Sequence, residues 1–161
     1  MIASYVIEKM READLLEVVR LEESTGLNRW GYEAYRRELL KNKNAIMLVA
    51  RDQTLSGAEH SVLGFFAGWV VVDELHVNNI ATRKDSRRIG IGQSLLEAAI
   101  DEGRQRGVRF VLLEVRASNN AAQSLYAKLR FRFVGRRRDY YRSPTEDALM
   151  MRLDLSGGAN C

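Results

Sequence analysis

Hydrophobic positions recur along this chain at two periods, one near 3.6 residues and one near 2, the signatures of amphipathic helices and of strands. Tyr5-Val6-Ile7 predicts a short opening strand. Across 11–23, Leu15, Val18, Val19 and Glu22 fall on one face with Leu16 and Leu21 beside it, so a helix is expected there. A second helix is expected over 32–41, turning Tyr35 and Leu39 inward. The unbroken apolar run 45–50 predicts a buried strand, the polar stretch 51–61 a loop, and 62–72 a long strand carrying Gly64 and Gly68. Asp73-Glu74 marks a tight turn into a further strand over 75–82.

The second half is patterned more regularly. Ile91, Leu95, Ala98 and Ala99 recur at helical spacing, and Gly107 stands where a helix C-cap belongs. A β-rich run over 108–115 ends in Glu114-Val115-Arg116. Ser118 or Asn119 can cap a helix whose stripe is Ala122, Leu125, Tyr126 and Leu129. Strands are expected over 131–135 and around Leu149, Met151, Leu153 and Leu155, which alternate with Met150 and Arg152. The predicted order is β-α-α-β-β-β-α-β-α-β-β, a mixed α/β sheet with antiparallel strands early and one strand–helix–strand crossover. Residues 1–155 are expected to form a single domain, followed by a flexible tail over 156–161.

Composition narrows the function classes. A chain of 161 residues buries roughly 70% of its unfolded surface, enough for a core without staples. Its one cysteine, Cys161, can form no internal disulfide and sits where a chain frays, a poor place for a nucleophile. No apolar run approaches the ~18 residues of a membrane span. The segment Met1-Ile2-Ala3-Ser4-Tyr5 lacks the layout of a signal peptide, so the cytoplasm is the expected compartment. A net charge of +4 and a pI near 9.4 lean toward an anionic partner such as a phosphorylated cofactor, RNA or a ribosome.

The stretch Asn79-Ile80-Ala81-Thr82-Arg83-Lys84-Asp85-Ser86-Arg87-Arg88-Ile89-Gly90-Ile91-Gly92-Gln93 is the most informative. A strand ends, a charged loop follows, and glycines open a helix. Glycine lets a ligand approach the backbone closely, and the first N–H groups of a helix are unpaired and aim outward. Together with the helix dipole they form a receptor for pyrophosphate, and Arg83, Lys84, Arg87 and Arg88 add positive charge. Two glycines in a first helical turn cost helix stability, which favours this reading over a plain solvated loop. A Walker loop would need Gly-Lys-Ser/Thr, which does not follow Gly92. A dinucleotide fingerprint would need a third glycine where Leu95 stands, and no charged loop before the first.

Arg87-Arg88-Ile89-Gly90-Ile91-Gly92 resembles the Gln/Arg-x-x-Gly-x-Gly/Ala signature of the GNAT acetyltransferase superfamily. Leu113-Glu114-Val115-Arg116-Ala117-Ser118-Asn119, Leu125-Tyr126, and Arg137-Arg138-Asp139-Tyr140-Tyr141 followed by Glu146-Asp147-Ala148 resemble the ribosomal-protein-alanine N-acetyltransferases within it. The resemblance runs from about Val62 to Leu153; before it only Trp30 matches. It implies the GNAT acyl-CoA N-acyltransferase fold, acetyl-CoA as co-substrate, no metal, and direct transfer to the N-terminal α-amine of a protein, a ribosomal protein being one candidate. The strand Ile80-Ala81-Thr82 would hold the pantetheine arm, and Arg87, Arg88, Ile89, Gly90, Ile91, Gly92 and Gln93 the pyrophosphate, with Asn119 hydrogen-bonding the cofactor.

Acetyl transfer needs a neutral amine, a donor for the oxyanion and a proton for the leaving thiolate. The resemblance implies Glu114 as the base, acting through water, and Tyr126 as the acid. A backbone N–H near Ile80 would serve the oxyanion. Without the resemblance, Glu114 reads as a salt bridge to Arg116 or Arg109, Tyr126 as packing, and Asn119 as a helix cap. Glu74 is a reserve base; His76 reads as structural and His60 as part of a variable loop. Trp30, Tyr140 and Tyr141 are implied as walls of the acceptor groove, while Arg136-Arg137-Arg138 with its tyrosines also suits RNA contact or a solvated edge. Arg130 stands where the family has glycine before Phe131, which raises the question of whether the turn after the Tyr126 helix is altered. Two rivals remain: the same fold acting on a small amine, disfavoured for polycations by the net positive charge, and a non-catalytic RNA-binding module, which would have no need of Glu114 and Tyr126. Direct nucleic-acid binding and membrane association are not expected.

Overall fold

A computed structural model describes residues 4–25, 29–54 and 61–155. The expectations for Met1–Ala3, the loop core around His60 and the tail with Cys161 lie outside the described residues. Seven strands form one sheet: β1 (Tyr5–Lys9), β2 (Ala45–Asp52), β3 (Val62–Val71), β4 (Glu74–Thr82), β5 (Phe110–Arg116), β6 (Arg132–Tyr141) and β7 (Glu146–Asp154). Their spatial order is β1-β2-β3-β4-β5-β7-β6, antiparallel throughout except for the β4–β5 pair. The helices are α1 (Leu15–Thr25), α2 (Tyr32–Lys41), α3 (Ile91–Gln105) and α4 (Asn120–Lys128), with a 3-10 turn (Glu12–Asp14) leading into α1. This is the mixed α/β order read from the sequence.

Two cores sandwich the sheet. One face of β2–β5 packs on α3 and α4 through Phe66, Leu95, Leu96, Ala99, Val111 and Leu113. The other packs on α1 and α2 through Leu15, Val18, Tyr35, Met47, Val49 and Phe65. Leu95, Leu96 and Ala99 are fully buried, and each buried leucine contributes roughly 1.5–3 kcal/mol. Gly64 permits the close approach of α3: a Cβ there would lie 2.8 Å from the Ala81 carbonyl oxygen and 3.0 Å from Ile91 Cγ2.

Several element ends shift by a few residues from the sequence reading, β1 running on to Lys9 and β5 starting at Phe110, and two of the shifts have a clear structural reason. Arg51 and Asp52, expected in a loop, extend β2 because Arg51 is held by Asp14 at 2.8 Å and Glu8 at 3.2 Å. The strand expected over 131–135 runs on to Tyr141, taking in the Arg136-Arg137-Arg138 run, because β7 offers a pairing edge as far as Glu146. The exposed, charged run 136–139 hides this hairpin from a reading of composition alone.

The short turns from α3 into β5 and from α4 into β6 both use a left-handed cap. At the end of α3, Gly107 has φ 84°, Val108 N–H donates to Gly103 O at 2.9 Å and Gly107 N–H to Arg104 O at 3.1 Å, a Schellman motif. The end of α4 has the same pair, Phe131 N–H to Tyr126 O at 2.9 Å and Arg130 N–H to Ala127 O at 3.0 Å, with Arg130 at φ 74°. The arginine in the glycine position therefore leaves the turn intact. A left-handed non-glycine residue costs roughly 1–2 kcal/mol. Glycine would relieve that while loosening the unfolded chain by about 0.4–1 kcal/mol. Arg130→Gly should accordingly raise the urea midpoint by a net stabilisation of roughly 0.5–1 kcal/mol with an unchanged m-value; a lowered midpoint would mean that the arginine side chain contributes contacts worth more than the strain.

Candidate active site

The site is opened by a defect in β4. Along the β3–β4 ladder Ala67 pairs with Asn79 and Gly68 with Val77, so Asn78 is the extra residue of a β-bulge. Bulges bend a strand and increase its twist. On its other edge β4 pairs with β5 only from Glu74↔Phe110 to Val77↔Leu113. Beyond that point the strands part, leaving the edge of residues 78–82 without a strand partner among the described residues. A cavity of about 390 Å³ occupies the gap, walled by Asn78, Asn79 and Ile80 from β4, Glu114 and Arg116 from β5, and Asn119 and Tyr126 from α4. Arg137, Tyr140 and Tyr141 of β6 close it, with Thr25 from the end of α1. The side-chain Nδ2 of Asn78 is buried without a hydrogen-bond partner among the described residues, leaving a donor unused in this wall.

Glu114 stands just past the parting. Along β5 the buried residues Val111, Leu113 and Val115 face α3, so Glu114 projects from the opposite face into the cavity. The salt bridge it makes is with neither of the suggested partners. Arg116 instead meets Glu146 at 3.3 Å and the carbonyls of Arg142 and Pro144, and Arg109 lies over the Phe110 ring. Glu114 pairs with Arg137, whose Nε approaches within 3.2 Å by reaching across β7. Burial, together with the hydrogen bond and negative charge of Glu114, raises the Tyr140 phenol above its ordinary value, against the pull of Arg137. Burial drives Tyr141 up more strongly, with Glu114 adding to it. The two tyrosine rings meet edge to face at 5.1 Å.

Tyr126 reaches the same cavity from the other core, where it packs with α3. Burial raises its phenol to about 12, so it keeps its proton at neutral pH. No hydrogen bond to its hydroxyl occurs among the described residues, which leaves that proton uncommitted. The ring is fixed by the cap described above: Tyr126 and Phe131, 5.7 Å apart, form the apolar contact that accompanies a Schellman motif. Asn119 caps α4 by accepting from Ala122 N–H at 3.0 Å and also lines the cavity.

The glycine loop lies at the end of β4. After Thr82 a 3-10 turn (Lys84–Ser86) leads to Arg88 at φ 69° and Gly90 at φ 86°, and α3 begins at Ile91. Ser94 N–H makes the bond back to Gly90 O at 2.9 Å, so the amides of Ile91, Gly92 and Gln93 have no partner within the helix. No side chain caps this end. Arg87 and Arg88 are exposed around it, and Arg83 is bonded to Asp85 at 2.8 Å. A left-handed arginine is strained by roughly 1–2 kcal/mol, a conformation that persists where surroundings or a ligand compensate it.

The sequence profile described as the Acetyltransferase (GNAT) family matches residues 14–131. The chain belongs to the GNAT acetyltransferase family. A Bacillus subtilis protein provisionally named a ribosomal protein bS18-alanine N-acetyltransferase is 32% identical over 145 residues, covering 90% of this chain and 92% of that one. The Escherichia coli K12 ribosomal protein bS18-alanine N-acetyltransferase is 50% identical over 91 residues, 54% of this chain and 60% of that protein. The crystal structure of the E. coli ribosomal-protein-S18-alanine N-acetyltransferase superposes with a TM-score of 0.81 at 31% identity, covering 94% of each chain. Fold and enzyme class agree with the sequence reading.

Within this acetyltransferase, Glu114, Tyr126, Asn119, Ile80, Tyr140 and Tyr141 converge on one cavity. Trp30 does not line it. Its half-buried ring stacks on Trp69 at 5.6 Å and lies 5.2 Å from Tyr35, packed against the α1–α2 core. Arg137 and the Glu22–Tyr35–Asn79 chain of hydrogen bonds were not singled out from the sequence. Arg137 was hidden in a run of three similar residues, and Glu22 was visible only as an acidic residue on an apolar face.

Proposed function

We propose that this acetyltransferase moves the acetyl group of acetyl-CoA directly to the N-terminal α-amine of a protein, in the cytoplasm, with a ribosomal protein as the foremost acceptor. The convergence of an acid and a base from opposite faces of the sheet at the parting of β4 and β5 carries the chemical part of this reading. The acceptor class is supported by the homology to the two bS18-alanine N-acetyltransferases. Arg116 and Arg137 in the wall, against the single carboxylate Glu114, also favour a peptide terminus over a polyamine.

Acetyl-CoA would lie along β4 with its pyrophosphate on the free amides of Ile91, Gly92 and Gln93, beside Arg87, Arg88 and Ile89, the left-handed Gly90 turning the loop beneath it. The pantetheine arm would pair with the open edge of Ile80, Ala81 and Thr82, completing the ladder that β5 abandons. Asn119 supplies a further polar contact. The acceptor amine enters between Tyr140, Tyr141 and the end of α1. Its lone pair attacks the thioester carbon while Glu114 takes its proton through water. A backbone N–H near Ile80 stabilises the oxyanion. The tetrahedral intermediate collapses, the C–S bond breaks, and Tyr126 gives its proton to the departing thiolate.

Three outcomes test this. First, a Cβ at Gly92 would sit 3.8 Å from both Thr82 Oγ1 and Leu125 Cδ2, ordinary contact distances, so Gly92→Val should fold. Calorimetry should nonetheless show acetyl-CoA binding weakened tenfold or more, the bulk lying where pyrophosphate must approach; unchanged affinity would remove the loop from the cofactor site.

Second, a peptide beginning with Ala or Ser should be acetylated at its α-amine in preference to internal lysines, and mass spectrometry locates the product. Spermidine outcompeting every peptide in kcat/KM would move the reading to small amines.

Third, an α-amine has a pKa near ~8, so loss of Glu114 should hurt most at low pH and be partly relieved as pH rises. Tyr126→Phe should lower kcat by roughly 10²–10⁴-fold with little change in acetyl-CoA affinity, because the ring still packs on Phe131. Glu74, the reserve base, pairs with His76 at 3.0 Å and lies outside the cavity lining, so near-wild-type rates for both Glu114→Gln and Tyr126→Phe from about pH 6 to 9 would remove the acid–base assignment altogether.

A further inference from the structure

Glu22 lies one turn before the end of α1 with 1% of its surface exposed, and the chemistry above makes no use of it. A buried carboxylate is tolerated only when donors surround it. Three do here: Trp30 N–H donates to Oε2 at 3.0 Å, Gly31 N–H to Oε1 at 3.1 Å, and the Tyr35 hydroxyl to Oε2. Tyr35 is fully buried, and burial followed by Glu22 itself forces its phenol far above the ordinary value, so the hydroxyl stays a donor. That same oxygen accepts from Asn79 Nδ2 at 2.7 Å. The chain therefore has a direction, Asn79 to Tyr35 to Glu22.

Its ends bear on the cavity. Asn79 directly follows the bulge and lines the cavity. Thr25 also lines it and ties back to the Leu21 and Glu22 carbonyls through its hydroxyl. Gly31, whose amide Glu22 holds, adopts φ 82° and begins α2, where Tyr35 N–H bonds to its carbonyl. Replacing a buried polar network by apolar side chains is often neutral or stabilising, so stability gives no reason for this one. What it does uniquely is lock three elements in one mutual position.

We propose that Glu22 is a positioning residue for the acceptor: by holding the start of α2 and, through Tyr35, the bulged strand β4, it sets the acceptor side of the cavity and the selectivity for the acceptor's first residue. This rests on the cavity being the acceptor site.

Two variants cut different arms. In Glu22→Gln the amide nitrogen must face at least one N–H or O–H donor, so the hold on Gly31 or on Tyr35 is lost. Tyr35→Phe keeps the ring against Trp30 and Phe65 but severs Asn79. With peptides beginning in Ala and in Leu, each variant should raise the acceptor KM by about tenfold, the loss expected from one buried hydrogen bond, and shrink the preference between the peptides. Acetyl-CoA Kd should stay within about twofold, since the glycine loop is untouched. A fall in Tm with acceptor KM and preference unchanged, equal losses for both substrates, or unfolding of both variants would overturn the proposal and leave Glu22 a purely structural residue. Failure of the N-terminal reading shows separately, as wild-type enzyme that uses neither peptide. The variants are then measured on the amine that the wild type accepts, and the same split between KM and Kd supports the positioning role.

Discussion

The cavity on which the proposed chemistry rests depends on the parting of β4 from β5 after Val77 and Leu113. Parallel strands normally stay paired along their length, because each unpaired backbone group buried away from water costs free energy. Here the bulge at Asn78 bends β4 away while β5 continues in register with β7 as far as Arg116↔Ala148. The resulting wedge exposes main-chain groups on one strand and a side-chain carboxylate on the other. It also opens a passage between the two cores, which is how Tyr126 from the α3 side and Glu114 from the α1 side come to share one cavity.

The surroundings brace that wedge. On the α3 side, the Tyr5 hydroxyl meets Ser94 Oγ at 2.8 Å beneath the glycine loop, and the Schellman cap of α4 fixes Tyr126 through Phe131. On the far side, Arg116 gathers Glu146 and the Pro144 and Arg142 carbonyls, which anchors the β6–β7 turn over the cavity. Arg116 also lies 4.5 Å from the Tyr141 ring centroid, and Arg137 holds Glu114. These ion pairs are partly solvated and individually contribute little stability. Their effect is geometric: they orient groups that the backbone alone would leave free to choose rotamers.

Much of this was legible in the sequence, for reasons that can be named. The order of elements followed from periodicity, since α3 and β5 bury one clean stripe each, and the caps at Gly107 and Asn119 carry their own local chemistry. The glycine loop stood out because two glycines opening a helix contradict helix propensity. Less legible was whatever depends on partners distant in the chain. The choice of Arg137 over Arg116 for Glu114, and the aromatic stack of Trp30 with Trp69 outside the cavity, depend on residues far along the chain. No window of sequence contains both members of such a pair.

Arg130 shows how the two kinds of information combine. Sequence comparison flags it as an anomaly, because the position calls for glycine. The structure shows the same pair of capping hydrogen bonds, made by an arginine held at φ 74°. A motif is thus a statement about backbone geometry, and the residue that usually supplies it is only its cheapest carrier. The same reasoning applies at Arg88, where φ 69° places a second left-handed arginine beside the helix start. There no hydrogen-bonded cap among the described residues offsets the strain, and the amides that follow have no partner within the helix. Two similar departures from local preference therefore differ in kind: at α4 the capping hydrogen bonds of the fold offset the strain, whereas at α3 no such pair among the described residues does.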